Sequence, residues 1–321
     1  MSNRAHRFHA PMIVYFDAIR RAGSVREAAR RLNVASSAVN RQLLKLEDEL
    51  GTPLFDRLPS GLKLTHAGAT FARHAIEVLQ DAERVRSELE AMQGLRSGHL
   101  EIAAVEALTS GLLPDVLLQL RERHPRITVG VSVLGSAAIS AAVIGGDADM
   151  GIAFGVDRTS DLRQMSHSRL PLGATMRPDH PLAGNKSLTL AMCLSHSLIL
   201  PKADLSIRQQ LQRALGKLPQ GAVETSSVEL AKQLTMRGLG ISFQTRIGIE
   251  DEIERGELVH IPIARPAYLQ ADLGIYVRSA RNPPIAVHAL VDLLNAALAR
   301  CATVAGEAEP AAPYHPPEGP S

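Results

Sequence analysis

The chain has 321 residues, 45% hydrophobic and 21% charged, enough to bury cores in two or three domains. Trp is absent and aromatic residues make up 3%, so any core is built from Leu, Ile, Val and Ala, and single-strand binding by base stacking is disfavoured. Cys193 and Cys301 make neither a disulfide framework nor a metal spacing, and no apolar run reaches the roughly 18 residues of a membrane span or resembles a signal peptide. A soluble cytoplasmic protein with no membrane partner is expected.

The net charge of +2 is unevenly distributed. Residues 1–66 carry eleven Lys or Arg against six Asp or Glu, a balance of +5, while the remainder carries −3. A basic head on a slightly acidic body suits a chain in which only the head touches phosphate. A merely solvated basic face has the same charge count.

The spacing predicts a first helix over Pro11–Ala22, with Ile13, Phe16, Ala18 and Ile19 on one stripe and Gly23 as its stop. Ser24 and Glu27 stand in capping-box register before a second helix, Val25–Leu32, that turns Ala28, Ala29 and Leu32 inward. After a turn at Asn33-Val34, a third helix over Ser36–Leu50 places Val39, Leu43, Leu46 and Leu50 toward the core. Its other face carries Ser36, Ser37, Asn40, Arg41 and Lys45, groups suited to base edges and phosphates in a major groove, or to an ordinary polar helix face. Two short alternating strands around Pro59-Ser60-Gly61 then form a hairpin wing bearing Arg57 and Lys63.

The run Tyr15-Phe16, Gly23-Ser24, Ala28 to Val34, Ser37-Ala38-Val39, Arg41-Gln42-Leu43, Leu46-Glu47, Leu50-Gly51, Pro53-Leu54-Phe55, Arg57, Leu64-Thr65 and Ala67-Gly68 resembles the winged helix-turn-helix of LysR-type transcriptional regulators. The resemblance implies double-stranded operator DNA as partner, with contacts carried over to Ser36, Ser37, Asn40 and Arg41. It departs at Ala35-Ser36, where the family has Ser-Gln, and at Asn40, where a further Ser is usual. Ala35 cannot cap, so Ser36 is expected to take over the cap and move the helix start by one residue, and a non-standard base sequence is expected to be read.

Thr65 can cap a long helix to about Met92, along which Phe71, Ala75, Val78, Ala82, Val85, Leu89 and Met92 recur at alternating spacings of four and three. The seam is read as a dimerisation stripe, with packing on its own domain the other possibility. Gly94 and Ser97-Gly98 provide a break. Short strands then alternate with helices: strands 100–105, 127–133 and 150–154, helices 108–124 and 137–144, implying a parallel α/β sheet whose ligands bind beyond the strands' carboxyl ends.

Leu112-Leu113-Pro114, His124-Pro125, Gly146-Asp147 with Asp149, Asp179 to Ala183, Gly238 to Ile241 and the strand 273–277 extend the resemblance to about residues 11–300. It implies an α+β chain in all: a winged head (9–66), a linker helix (67–98), and a two-lobed α/β effector domain (99–300) similar to periplasmic binding proteins. Lobe I is placed at 99–165 and 267–300 and lobe II at 166–266, with a disordered Pro-rich tail at 301–321. It also implies self-association as a homodimer or homotetramer, a small-molecule effector in the cleft, and RNA polymerase as a further partner.

Candidate cleft residues are Glu106, Leu108 and Thr109, then Gly135 and Ser136, then Thr225, Ser226 and Phe243. Where the family carries a Ser or Thr, this chain has Val105-Glu106. Glu106 either selects a ligand with an amine or several hydroxyls or is simply a helix N-terminal residue favoured by the dipole. No nucleophile and base, dinucleotide fingerprint or metal-ligand spacing is assembled, so neither a catalytic residue, a cofactor nor a metal is expected. Two other readings remain: a small-molecule binding protein without a transcriptional role, and an α/β enzyme with an appended winged helix.

Overall fold

The computed structural model describes residues 11–59, 61–92, 98–157, 159–264, 269–279 and 283–304. Gly94 and Ser97 of the expected break, Ser60 of the expected turn, the Met92 side chain and the tail beyond 304 lie outside the described residues. The chain divides into two compact units, Met1–Ser97 and Gly98–Ser321.

The first unit begins with α1 (Pro11–Ala22), α2 (Val25–Leu32) and α3 (Ser36–Leu50), then β1 (Phe55–Leu58), β2 (Gly61–Leu64) and α4 (His66–Met92). Phe16, Ile19, Ala28, Ala29, Val39, Leu43, Leu46, Leu54 and Phe55 close its core, and Phe16 meets the rings of Phe55 and Phe71 at 5.1 and 4.8 Å. Burying a side chain of this size stabilises by roughly 1.5–3 kcal/mol. Leu50, expected inward, is exposed, because α3 ends there with Gly51 in the left-handed region at φ 66°. The capping box does not form: Ser24 makes no side-chain cap, and the Glu27 carboxylate turns to Arg30 (2.7 and 2.8 Å) and Arg31 (2.9 Å). Those two guanidinium groups hold its pKa down at about 2.

The cap of α3 is likewise not displaced. Ala35 stands at the N-cap without a side-chain bond, and Ser36 is the first helical residue. Thr65 does cap α4, its hydroxyl accepting from the Gly68 amide at 2.9 Å and donating to the Pro53 carbonyl at 2.8 Å. The first two seam positions of α4 are turned to the head: Ala75 is fully buried in its core and Phe71 packs against it, beside buried Ala72 and Ile76. Further along, Val85 and Leu89 are 38% and 46% exposed.

The second unit holds a five-stranded sheet in the order β4-β3-β5-β12-β6, formed by β3 (Gly98–Ala104), β4 (Ile127–Val133), β5 (Met150–Phe154), β6 (Leu162–Pro171) and β12 (Gln270–Arg278). β3, β4 and β5 are parallel, but β12 runs antiparallel to both β5 and β6. The sheet is therefore mixed rather than parallel, because β12 re-enters from the other lobe. The expected helix 108–124 is broken: a 3-10 turn (Glu106–Leu108) precedes α5 (Leu112–Arg123), whose N-cap is Gly111. α6 (Ser136–Ile144) and α11 (Ile285–Val304) pack on this sheet.

A second core surrounds β7 (Gly173–Met176), β10 (Ser242–Gln244) and β11 (Val259–Pro262), in the order β10-β7-β11, with the parallel pair β8 (Ile199–Pro201) and β9 (Val223–Thr225) beside it. α7 (Leu190–Cys193), α8 (Ser206–Leu215), α9 (Val228–Met236) and α10 (Glu250–Glu254) complete the chain. The expected division at 165/166 falls inside β6, which stays hydrogen-bonded to β12 as far as Pro171 opposite Gln270. Leu170 belongs to the first core and Leu172 to the second, while Ile247 returns to the first from within the stretch expected to be wholly lobe II.

Candidate functional site: a basic helix face and an interlobe cleft

On α3 the apolar residues Val39, Leu43 and Leu46 are buried, which turns Ser36, Ser37, Arg41 and Lys45 outward and leaves Asn40 half-buried. Among the described residues Arg41 has no ion-pair partner, and Lys45 lies 3.7 Å from Glu49, one turn on. Without a side-chain cap on Ala35, the two serines present the opening turn of the helix to solvent.

The wing is tied to the helices by two contacts that sequence reading did not single out, one to α3 and one to the turn after α1. Glu47, on the inner side of α3, accepts the Leu54 amide at 2.7 Å and the Phe55 amide at 3.3 Å. The Gly23 carbonyl, at the end of α1, accepts the Leu62 amide at 2.8 Å. Gly61 allows that approach, since a Cβ there would stand 2.8 Å from the Gly23 oxygen. Arg57 pairs with Leu62 and Asp56 with Lys63, so Arg57 and Lys63, both exposed, project from opposite faces of the hairpin.

In the second unit the loops after β3, β4 and β5 meet the loops before α8 and α9. The Glu106 carboxylate accepts the Ser227 hydroxyl at 2.9 Å and the Val228 amide at 2.6 Å. It thus caps α9 across the cleft rather than acting on its own turn, and both its oxygens are engaged. Thr109 spends its hydroxyl on the Glu106 carbonyl at 2.7 Å. Gly135 is the N-cap of α6, and a Cβ on it would lie 3.6 Å from the Asp204 carbonyl; Ser136 follows as the first residue of α6. Thr225 is buried and accepts the Ser227 amide at 3.0 Å, while exposed Ser226 donates to Asp204 at 3.0 Å.

Two expected cleft residues do not line it. The Leu108 side chain is wholly buried in the first core and Phe243 is buried in the second, because each takes the inward position of its element. Ser227, Val228, Asp204, Ser206 and Gly155 were missed; the Ser226-Ser227 pair before the α9 pattern was the one sequence signal for them. A separate pocket of about 250 Å³ opens among α5, α10 and α11, lined by Asp115, Glu250, Asp251, Glu252, Glu254 and Arg300, and none of the expected cleft residues borders it. Among the described residues, no group of three or more His, Cys, Asp or Glu could hold a metal ion, and no helix is long and apolar enough to cross a membrane.

Residues 12–69 match the family described as bacterial regulatory helix-turn-helix protein, lysR family, and residues 93–299 match the LysR substrate binding domain. The chain is 28% identical over 258 residues to the uncharacterized HTH-type transcriptional regulator YdcI of Escherichia coli, covering 77% of this chain and 82% of that one. It is 27% identical over 279 residues to the RuBisCO operon transcriptional regulator of Allochromatium vinosum, covering 84% and 90%. Among solved structures, a variant of full-length OxyR from Pseudomonas aeruginosa superimposes with a TM-score of 0.76 at 23% identity, covering 97% of this chain and all of that one. CbnR complexed with its target DNA superimposes with a TM-score of 0.56 at 21% identity, covering 89% and 99%. The chain belongs to the LysR family of bacterial transcriptional regulators, with a DNA-binding head and an effector-binding domain on one polypeptide.

Proposed function

We propose that α3 enters the major groove of operator DNA, with Asn40 and Arg41 reading base edges, Ser36, Ser37 and Lys45 holding phosphates, and one of Arg57 and Lys63 reaching the flanking backbone. The observation that carries this reading is the face of α3 opposite Val39, Leu43 and Leu46, where exposed Arg41 has no ion-pair partner among the described residues. The head spans residues 11–76, since the core it shares with α4 ends near Ile76. Beyond it, exposed Val85 and Leu89 supply a seam through which two chains pair and present two heads to a two-fold operator.

The cleft between the two cores of the second unit takes the small-molecule effector, against Glu106, Thr109, Gly135, Ser136, Thr225 and Ser226. Occupancy there changes the grip on DNA through a coupling free energy rather than by making or breaking bonds, so the protein acts as a cytoplasmic regulator and not as an enzyme. The YdcI and RuBisCO-operon relatives are regulators by name, which supports this reading. Selection of bound duplexes from a random pool by the purified chain, followed by titration in salt, tests it. A recurrent sequence bound with a steep salt dependence is expected; enrichment of no sequence overturns it.

A further inference from the structure

We propose that Glu106 is a built-in latch that holds the N-terminus of α9 against lobe I, so that the effector domain changes state when this one carboxylate lets go. The inference rests on the cleft being the effector site and names the contact that an effector there would have to displace.

Glu106 opens the 3-10 turn after β3, on the first core, while Ser227 and Val228 open α9 on the other side of the cleft. Leu230 donates its amide to the Ser227 hydroxyl at 3.0 Å, that hydroxyl donates to one Glu106 oxygen at 2.9 Å, and the Val228 amide donates to the other at 2.6 Å. One negative charge therefore completes the cap of a nine-residue helix and satisfies donors that no local side chain reaches. The walls on either side stand close through glycines. Gly155 lies at the end of β5, and a Cβ on it would be 3.3 Å from the Ser206 Cβ; one on Gly135 would be 3.6 Å from the Asp204 carbonyl.

The helix it holds is otherwise weakly anchored. The buried side chains of α9 are Lys232 and Thr235 rather than apolar residues, none of its side chains belongs to either apolar core, and Leu230 is 46% exposed. Its side-chain ties to other elements are polar: the Thr235 hydroxyl to Ser242 at 2.9 Å and the Lys232 ammonium to Glu252 at 3.0 Å, with Glu229 of α9 itself on the same ammonium at 2.8 Å. Burial works against the Lys232 charge, but the two carboxylates outweigh it and raise its pKa. A helix seated by polar contacts can exchange one set for another without opening an apolar cavity, whereas a helix packed into a core cannot. A ligand that replaces the Glu106 carboxylate at Val228 and Ser227 would free the loop after β3 and α9 together.

Amide hydrogen exchange on the full-length chain tests the latch without DNA. Glu106→Ala should speed exchange of the Val228–Ala231 amides about tenfold or more, as expected when a charged acceptor leaves buried donors unpaired, with β3, β5 and the head unchanged. Ser227→Ala removes one of the two Glu106 bonds and the acceptor of the Leu230 amide, so its acceleration should centre on Leu230, while Val228, still held by Glu106, exchanges more slowly than in Glu106→Ala. Sodium acetate should slow exchange again in Glu106→Ala and leave the wild type unaltered. Unchanged exchange at Val228 in Glu106→Ala overturns the latch, as does an equal rise across the whole second unit in that variant, which would mark Glu106 as general scaffolding. Failure of the wild type to select a DNA sequence would sink the functional reading but leave these rates untouched.

Discussion

The backbone amide of Leu54 donates to the Glu47 carboxylate at 2.7 Å, and the same oxygen takes the Phe55 amide at 3.3 Å. This joins the inner face of α3 to the strand that starts the wing. Glu47→Ala leaves both amides without that acceptor and should destabilise the head by about 1–3 kcal/mol. Glu47→Gln keeps a carbonyl oxygen in place and should cost less. Urea denaturation of both variants checks the order, and equal losses would contradict it.

Gly68 sits where the start of α4 crosses the loop before the wing, and a Cβ there would lie 1.9 Å from the Leu54 carbonyl oxygen. That atom is backbone and cannot swing aside, so Gly68→Ala must move the helix or break the Thr65 cap. A loss of about 2 kcal/mol or more in stability is expected, of the order seen for forced overpacking. Thermal melting reads it; a wild-type melting temperature would show that α4 is not seated there.

The opposite orientations of Arg57 and Lys63 separate their effects on DNA. Arg57→Ala and Lys63→Ala are expected to differ, with the variant that removes a phosphate contact lowering affinity on all sequences and reducing the salt slope by about one unit. Arg41→Ala should instead cost about 1–3 kcal/mol on the selected sequence and relax its discrimination. Fluorescence anisotropy over a range of salt measures all three, and identical slopes for Arg57→Ala and Lys63→Ala would contradict the geometry.

Leu89 is half-exposed on the distal part of α4, beyond the turns that the head covers. If α4 pairs with a second chain, Leu89→Glu puts a charge into that seam and should raise the dissociation constant of the dimer at least tenfold, while the head's melting transition stays put. Sedimentation velocity at several concentrations decides it, and an unaltered distribution would mean that pairing lies elsewhere.

Burial depresses His260 to a pKa of about 4, its Nε2 standing 2.9 Å from the Gln244 carbonyl beneath β7. Above pH 6.5 the ring is neutral whether folded or unfolded, and it costs nothing. As the pH falls from about 6.5 toward 4, the unfolded chain gains a proton that the folded one refuses, so stability declines across that window and levels off below it. The loss is at most about 3 kcal/mol. Denaturation midpoints of the wild type and His260→Gln at pH 7 and pH 5 test this: the variant should lose less, and parallel losses would rule His260 out.

Much of the head was legible because its signals are local. The 3.6-residue spacing of Val39, Leu43 and Leu46, the Thr65 cap and the stop at Gly23 each act within one or two turns. The same holds for β4 and β5, whose ends fall where the apolar runs end. The capping box at Ser24 failed for an equally local reason, since two arginines on the next turn outbid a single amide for the Glu27 carboxylate.

Within the chain, the sequence by itself determined the order of the elements from α1 to β5, the basic outer face of α3 and the family, because periodicity, caps and residue type are properties of neighbours. Only the tertiary structure decided what each carboxylate holds and which way each cleft side chain turns. Glu106 finds its partners 121 and 122 positions away, Phe71 and Ala75 are claimed by the head instead of a second chain, and Leu108 and Phe243 fall inward. Hydrogen-bond partners and burial across a fold depend on how distant strands close upon each other, and no spacing along the chain encodes that closure.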